Sequence, residues 1–299
     1  MFVKRFLPAF ACVWLLCTSC HRHKGPVPRP DHVIIVMEEN HGFNQLIGSD
    51  NAPFINHLAN TGALFMDAHG VTHPSQPNYL ALYSGSLQGI TDDRCLEKLS
   101  PYHTPNLGAA LIEHGYTFKG FAETMPSAGY LPCSFQHTDL TNGMLYARKH
   151  APWVNWTGTG ERTISPELSR PFTDFPTDFN ELPDVAFVIP NQDNDMHNIG
   201  EPGDSAAIRR GDNWLKEHLE KYIDWAQTHN SLLILTFDED DFQDVNHIPT
   251  IFHGAAVQPG QYPQRIDHYS VLRTVEAMFD LPTEDSTGAT AITNVWRKG

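Results

Sequence analysis

Three apolar runs in this chain end on residues that bind hard cations or move protons. His32-Val-Ile-Ile-Val-Met-Glu38 leads into Glu39 and Asn40. Asp184-Val-Ala-Phe-Val-Ile-Pro-Asn191 leads into Asp193 and His197. Ser231-Leu-Leu-Ile-Leu-Thr-Phe237 leads into Asp238 and Glu239. Short apolar runs bounded by turn signals read as buried strands. In open α/β sheets, sites form outside the carboxyl ends of such strands. Metal ligands at three strand tips point to an enzyme.

Each group has a chemical reading and a plainer one. Glu39 and Asn40 offer two hard oxygen donors at one tip; alternatively Asn40 caps a helix or closes a loop. Glu38 has the opposite strand parity and is expected to point elsewhere. Ser75, in Thr72-His-Pro-Ser-Gln-Pro-Asn-Tyr79, precedes a helix with Pro77 in its first turn. Backbone N–H groups and the helix dipole favour an anion there, which suits a serine alkoxide and a phosphate it attacks. A bare serine needs a base or a metal. No Gly-x-Ser-x-Gly elbow surrounds it, so a hydrolase triad is not favoured; the plain reading is an N-cap.

Asp193 and His197 are spaced so that two ligands can converge on one ion from a turn, and Asp195 between them can also bind. Asp238-Glu-Asp-Asp241 is a run of acids, usually just a solvated loop. Here it leaves a buried strand, and packed carboxylates without a cation would repel. His247 and His268 are each a ligand, a general acid, or a loop or capping histidine. The chain has 17 histidines, so an isolated one carries little information. His21, His23, His57, His114, His150, His218 and His229 read as surface or tether residues.

Strands and helices must alternate to position these groups. Strand 33–38 is followed by a helix from Pro53 to Asn60, with Phe54, Ile55 and Leu58 on one side. A short strand covers Ala63–Met66 and a helix covers Pro77–Ser84, with proline in its first turn. The next helix spans Thr104–His114 and ends at Gly115. Then come a strand at Tyr116–Phe121, the long amphipathic helix Asp204–His229, strand 231–237, strand Ile248–Phe252 and helix His268–Phe279. This order predicts an α/β fold: one α/β sandwich with a mostly parallel sheet. Residues 124–182 are broken by Pro and Gly and form an irregular insertion. It is either a lid or pocket wall, or padding over a sheet edge.

The chain has 299 residues, 40% of them hydrophobic, and a formal net charge of −15. That charge argues against nucleic acid as a partner, since phosphate neutralisation needs clustered Lys and Arg. Lys4 and Arg5 precede an apolar run from Phe6 to Cys17, too short for a stable membrane span. Leu16-Cys17-Thr18-Ser19-Cys20 is similar to a lipoprotein processing site. The expectation is a signal segment at 1–19, lipidation of Cys20, and a Pro/Gly-containing tether at 20–30, ahead of one domain at 31–299. The protein would be exported, held to the membrane by its lipid anchor alone and facing the periplasm or cell surface. Plain secretion and an uncleaved anchor are the other readings. Cys95 and Cys133 are expected to form a disulfide, with two free buried thiols as the alternative.

Several of these motifs occur in one order, and together they carry a resemblance. Glu38-Glu-Asn-His41, Thr72-His-Pro-Ser-Gln-Pro-Asn-Tyr-Leu80, Phe237-Asp-Glu-Asp240, Asn246-His-Ile-Pro-Thr250 and Asp267-His-Tyr-Ser270 resemble the bacterial phosphoesterase family of acid phosphatases and non-specific phospholipases C. That family is distantly related to the alkaline phosphatase superfamily, and the match runs from about Val33 to Pro282. The resemblance implies an alkaline-phosphatase-like α/β/α sandwich and a metal-assisted serine nucleophile acting on a small phosphate ester or a phospholipid. Carried over by position, Glu39 and Asn40 look like metal ligands, and Ser75 looks like the nucleophile, itself bound to the metal. Asp238 and Glu239 resemble the acidic pair that completes the site. Asp193 and His197 match a second ligand set, and His247 stands where relatives add another histidine.

Asn40 stands where relatives often use Asp, and Glu239 where they often use His. More oxygen and fewer imidazole donors favour calcium, magnesium or manganese over zinc, and one ion over two. On this reading Asn78 or His73 donates to a non-bridging phosphate oxygen, and His197 or His247 protonates the leaving group. The competing readings are a phospholipase C-like diesterase and a non-catalytic surface lipoprotein on the same fold.

Overall fold

The computed structural model describes residues 25–243, 245–283 and 287–298. The signal segment and Cys20 lie outside the described residues. Val27 is already buried in the core, so the chain docks on the domain before residue 31, the expected end of the tether.

Strand β1 (His32–Glu38) is the centre of the molecule. Val33 to Met37 are fully buried, because a parallel strand covered on both faces needs a continuous apolar run. After the short helix α1 (Phe43–Leu46) come α2 (Pro53–Thr61), β2 (Ala63–His69) and α3 (Ser75–Ser84). Helix α4 (Leu107–Glu113) begins later than the expected Thr104. Pro105 disfavours helix at the residue before it, and Asn106 caps the end by accepting from Ala109 N at 2.9 Å. Strand β3 (Phe118–Ala122) follows. A hairpin of β4 (Ser134–His137) and β5 (Met144–Ala147) and the short edge strand β6 (Ser169–Pro171) punctuate the insertion. Then come β7 (Val185–Ile189), the long α5 (Asp204–Ala226), β8 (Ser231–Phe237), β9 (Thr250–Gly254), β10 (Gly260–Asp267) and α6 (His268–Met278).

Eight of these strands form one sheet in the order β10-β2-β9-β8-β1-β7-β3-β6. All pairings are parallel except those of β9, which runs antiparallel to both β2 and β8. The last apolar strand lies at Thr250–Gly254, displaced from the expected Ile248–Phe252, because Pro249 has no N–H to give the ladder. Helix α2 packs on α5, and α3 packs on α4 and α6, so two helical layers enclose the sheet. This is an alkaline-phosphatase-like α/β/α sandwich. No helix of the described residues is long and apolar enough to cross a membrane.

The insertion does more than either expected role. Trp153 and Trp156 are fully buried. Trp153 lies so close to β3 that a Cβ on Gly120 would sit 2.1 Å from its Cε2. Only glycine permits that approach. The insertion is therefore part of the core at this edge of the sheet, and it reaches from there to the strand tips. Cys95 and Cys133 form the expected disulfide, with Cα atoms 5.8 Å apart.

Candidate active site

Strands β1 and β8 are adjacent and in register to their ends, with Glu38 opposite Phe237. Their next residues therefore emerge side by side. Asn40 takes φ +46°, a left-handed conformation that asparagine tolerates better than most residues. Its backbone N–H donates to Asp238 Oδ1 at 3.1 Å. Helix α3 points its first residue at this pair of tips. Ser75 Oγ lies 3.2 Å from Glu39 Oε2, 3.2 Å from Glu239 Oε1 and 3.5 Å from Asn40 Oδ1. Five residues from three distant segments thus present oxygens to one small space.

The electrostatics of that space call for a cation. Burial, then Asp238 and Asp195, push Glu39 well above the usual carboxylate range. Burial raises Asp238 to about 6. Burial and then Asp238 raise Glu239 to about 9. Asp238 Oδ2 is buried and has no hydrogen-bond partner among the described residues. An orphaned carboxylate oxygen beside other carboxylates is costly unless a cation joins them. The donors are carboxylate, amide and hydroxyl oxygens, which suit a hard divalent ion.

A second ring of residues holds this one. Tyr79, one turn along α3 from Ser75, donates its hydroxyl to Glu39 Oε1. His150 is buried and stacks on Tyr79 with ring centroids 5.0 Å apart. Its Nε2 lies 3.2 Å from Glu39 Oε1 and its Nδ1 lies 3.3 Å from Asp195 Oδ2. Burial first, then Lys149 and His197, hold its pKa well below the ordinary histidine value. Asp195 receives His197 N–H at 2.9 Å, and its own N-terminal loop is tied to β1 because Glu39 N donates to Asp195 O at 2.9 Å. Glu39, His150 and Asp195 are close enough to share an ion. Lys149, from the insertion, pairs with Asp93 at 2.7 Å. Burial would lower its pKa, but the fields of Glu39 and Asp93 outweigh that and raise it.

The structure gathers Ser75, Glu39, Asn40, Asp238 and Glu239 as expected from their order along the chain. Asp193 is elsewhere: it accepts from Thr138 Oγ1 at 2.7 Å and from Asn198 Nδ2 at 2.8 Å. Asp195, two residues further along, lies toward Glu39 instead, because the backbone turns after Asn191, whose carbonyl accepts from Asn194 N and Asp195 N. His197 is half-buried near His150, with ring centroids 5.8 Å apart, and burial followed by Lys149 lowers it to about 4.

Asn78 is hydrogen-bonded to the loop before α3 and reaches the site with Nδ2, 3.5 Å from Glu239 Oε2. Its Oδ1 accepts from Val71 N and Thr72 N, and its Nδ2 donates to Thr72 O at 2.7 Å. His73 has both ring nitrogens on carboxylates, 2.8 Å from Glu239 Oε2 and 3.2 Å from Asp240 Oδ1. His247 stacks on Phe43 at 4.5 Å with Nε2 3.1 Å from Met66 O. His268 is buried, with Nε2 2.7 Å from Asp238 O, so it steadies that strand tip from behind. Of the four consecutive acids, Asp240 closes its own loop by accepting from Phe242 N and Asn246 N, both at 2.8 Å.

Sequence reasoning missed His150, Tyr79 and Lys149. His150 sits in an aperiodic stretch that reads as surface, whereas it is among the most buried histidines. The one available signal was the run of buried-type residues just after it, Ala151-Pro-Trp-Val154.

A model of the phosphoesterase family matches residues 49–282. The chain is 46% identical over 273 residues to a phosphatidylinositol-3-phosphatase of Mycobacterium tuberculosis, spanning 90% of this chain and 84% of that protein. It is 28% identical over 280 residues to a probable acid phosphatase of Kluyveromyces lactis, spanning 87% of this chain and 63% of that longer protein. In fold it is similar to an alkaline phosphatase superfamily protein from Vibrio parahaemolyticus, with TM-score 0.57, 13% identity, and 86% of this chain and 68% of that chain covered. A serine at a helix start, carboxylate and amide oxygens at two neighbouring strand tips and a family match over most of the domain lead to one conclusion: the chain belongs to the phosphoesterase family and is a phosphoric ester hydrolase.

Proposed function

We propose that this protein is a metal-dependent phosphatase that cleaves phosphate esters through a phosphoseryl intermediate on Ser75. The observation that carries the reading is the position of Ser75 Oγ, 3.2 Å from both Glu39 Oε2 and Glu239 Oε1. A hydroxyl aimed between two carboxylates is poorly used as a donor to both, but well placed as one more ligand oxygen. Glu39, Asn40, Ser75, Asp238 and Glu239 would hold a divalent ion, with calcium, magnesium or manganese favoured over zinc. Such an ion would lower the pKa of the serine hydroxyl and offset the charge of the substrate.

In the first step Ser75 Oγ, its proton passed to solvent, attacks phosphorus; the bond to the leaving alcohol breaks, its electron pair going to the leaving oxygen, which takes up a proton from water. In the second, water attacks the phosphoseryl phosphorus, the Oγ–P bond breaks and phosphate leaves. Burial lowers His197 to about 4, which does not suit a general acid that protonates the leaving alkoxide. Support for phosphate esters as substrates comes from the relatives described as phosphatases. A small monoester or the headgroup of a phosphoinositide is the substrate class these relatives suggest.

The test is hydrolysis of a chromogenic phosphate monoester after chelation and readdition of calcium, magnesium, manganese or zinc. Restored turnover that is lost in Ser75→Ala supports the reading, with a loss on the order of 10³-fold or more. Turnover by that variant at the native rate ends the covalent model. Hydrolysis of phosphatidylcholine in place of the monoester would favour a phospholipase C-like diesterase.

Export as a lipoprotein anchored through Cys20 completes the proposal. The Cys95–Cys133 disulfide supports an oxidising compartment. Acyl-chain labelling that is unchanged in Cys20→Ala would remove the anchor.

A further inference from the structure

The site as described contains many acids, and a phosphate ester must still enter it. An incoming dianion needs fixed donors on its non-bridging oxygens, and such electrostatic contacts dominate phosphoryl transfer. The two side chains expected to supply them, Asn78 and His73, are committed to the loop and to Glu239 and Asp240. Arg148 is committed as well: its guanidinium donates to Leu131 O, Ser100 Oγ at 2.6 Å and Asn155 Oδ1. Arg210 donates to Asp193 O and Asn198 O. Arg94 pairs with Asp92 at the surface.

Lys149 differs from all of these. Its side chain keeps 18% of its surface exposed, and its ammonium group meets Asp93 Oδ2 at 2.7 Å. An ammonium group has three donors, and Asp93 is its one hydrogen-bond partner among the described residues. Asp93 is itself tied to the nucleophile's helix: its Oδ1 accepts from the backbone N–H of Gln76, the residue after Ser75, at 3.0 Å. Gln76 Nε2 in turn holds the same loop by donating to Asp92 O and Arg94 O, both at 2.9 Å. Lys149 also lines a cavity of about 190 Å³ beside the start of α3, together with Gln76, Asp93 and the Cys95–Cys133 bridge. A path of two hydrogen bonds thus runs from the residue beside Ser75 to a cation at the edge of a cavity.

We propose that Lys149 is a catalytic residue that binds the non-bridging oxygens of the phosphoryl group, and that Asp93 is the positioning residue that aims it. This rests on the serine-nucleophile reading above. Asp93 keeps Lys149 extended over the start of α3 and leaves its other donors for the substrate. The cavity that Lys149 lines then receives part of the leaving group.

The experiment has a binding arm and a kinetic arm, both on the full chain supplied with the activating metal. Calorimetry measures inorganic phosphate binding to Ser75→Ala and to Ser75→Ala/Lys149→Met. Monoester kinetics are measured for native protein, Lys149→Met, Lys149→Arg, Asp93→Asn and Lys149→Met/Asp93→Asn, with thermal melts to establish that each variant folds. Expected are phosphate binding at least about tenfold weaker without Lys149, kcat/KM lower by on the order of 10²-fold in Lys149→Met, and partial recovery in Lys149→Arg. Asp93→Asn keeps an oxygen for Gln76 N, so it should cost about tenfold alone and nothing further in the Lys149→Met background, since coupled residues are non-additive. Should Lys149→Met fail to fold, Lys149→Gln takes its place in both arms. Native phosphate affinity and native kcat/KM in a folded Lys149 variant would overturn the assignment. An equal Asp93→Asn effect in both backgrounds would overturn the positioning role. Both comparisons are made within one Ser75 background, so they are distinct from the test of the serine reading, which fails if Ser75→Ala turns over substrate.

Discussion

Tyr79 donates its hydroxyl to Glu39 Oε1, leaving Glu39 Oε2 to face Ser75 at 3.2 Å. Tyr79 and Ser75 lie four residues apart on α3, so one helix face carries both the proposed nucleophile and the group that orients the carboxylate opposite it. Tyr79→Phe keeps the ring stacked on His150 and removes only the hydroxyl. Loss of such a supporting partner generally weakens metal affinity by about 10–100-fold. A titration of metal-depleted Tyr79→Phe, followed by calorimetry, should show a loss in that range with an unchanged melting profile. An affinity equal to native would mean that Tyr79 serves packing alone.

Asp195 and Asp193 differ by two positions and have opposite surroundings. Asp195 is buried beside His150 and joined to Glu39 through the backbone, while Asp193 pins Thr138 and Asn198. Asp195→Asn is expected to lower kcat/KM by about 10–100-fold, the usual effect of disturbing the shell that orients ligands. Asp193→Asn should change it by only a few fold. The reverse ranking in monoester kinetics would put Asp193 back among the ligands.

His253 on β9 makes stability depend on pH. It is buried, with Nε2 3.0 Å from Gln227 Nε2 and 3.2 Å from Thr61 Oγ1, and burial lowers its pKa to about 4. The unfolded chain protonates it near its ordinary pKa of about 6.5. Its contribution is therefore complete above about pH 6.5 and is lost as pH falls toward 4, because the unfolded state takes up the proton first. Each pH unit between these values removes up to about 1.4 kcal/mol. Urea midpoints measured across that window should fall less steeply in His253→Gln than in native protein. Parallel slopes would show that other groups govern the acid limb.

Gly120 and Trp153 fill one volume. A methyl at residue 120 would sit 2.1 Å from the indole, and neither β3 nor a fully buried Trp153 can move aside freely. Gly120→Ala should cost about 1–3 kcal/mol or more by overpacking, read as a lower melting temperature. Adding Trp153→Phe should return part of it. A neutral Gly120→Ala would contradict the packing.

The Cys95–Cys133 bridge closes 38 residues of chain and flanks the loop that holds Asp93. Constraining an unfolded loop of that length is worth about 2–4 kcal/mol. Cys95→Ser/Cys133→Ser should lose that much in denaturant unfolding, and reductant should move native protein, but not the double variant, in the same direction.

The central strands and their tips were legible in the sequence because their chemistry is local. Val33 to Met37 and Leu232 to Leu235 are apolar without interruption, and such runs have to be covered on both faces. Where they stop, the next residues must emerge at a sheet edge, so Glu39, Asn40, Asp238 and Glu239 could be named before any fold was seen. Ser75 could be named because a proline two residues on marks a helix start. Strand parity also set Glu38 apart from Glu39: its neighbours are Asp195, Glu123 and Asp212 rather than Ser75.

The rest depended on the tertiary structure. Whether Asp193 or Asp195 faces Glu39 is decided by a turn after β7, although only Asp193 has the spacing to His197 that marks a ligand pair. His150 and Lys149 lie in a stretch with no apolar period, so nothing local told whether they were exposed. They reach the site because Trp153 anchors the insertion on Gly120 of β3 and the β4–β5 hairpin leads back toward α3. Hydrophobic patterning acts between neighbours in the chain and specifies strands. The partners of a buried polar side chain are set by the sheet order and by the path of one irregular segment, which bring residues 39, 75, 150, 195 and 239 together from across the chain.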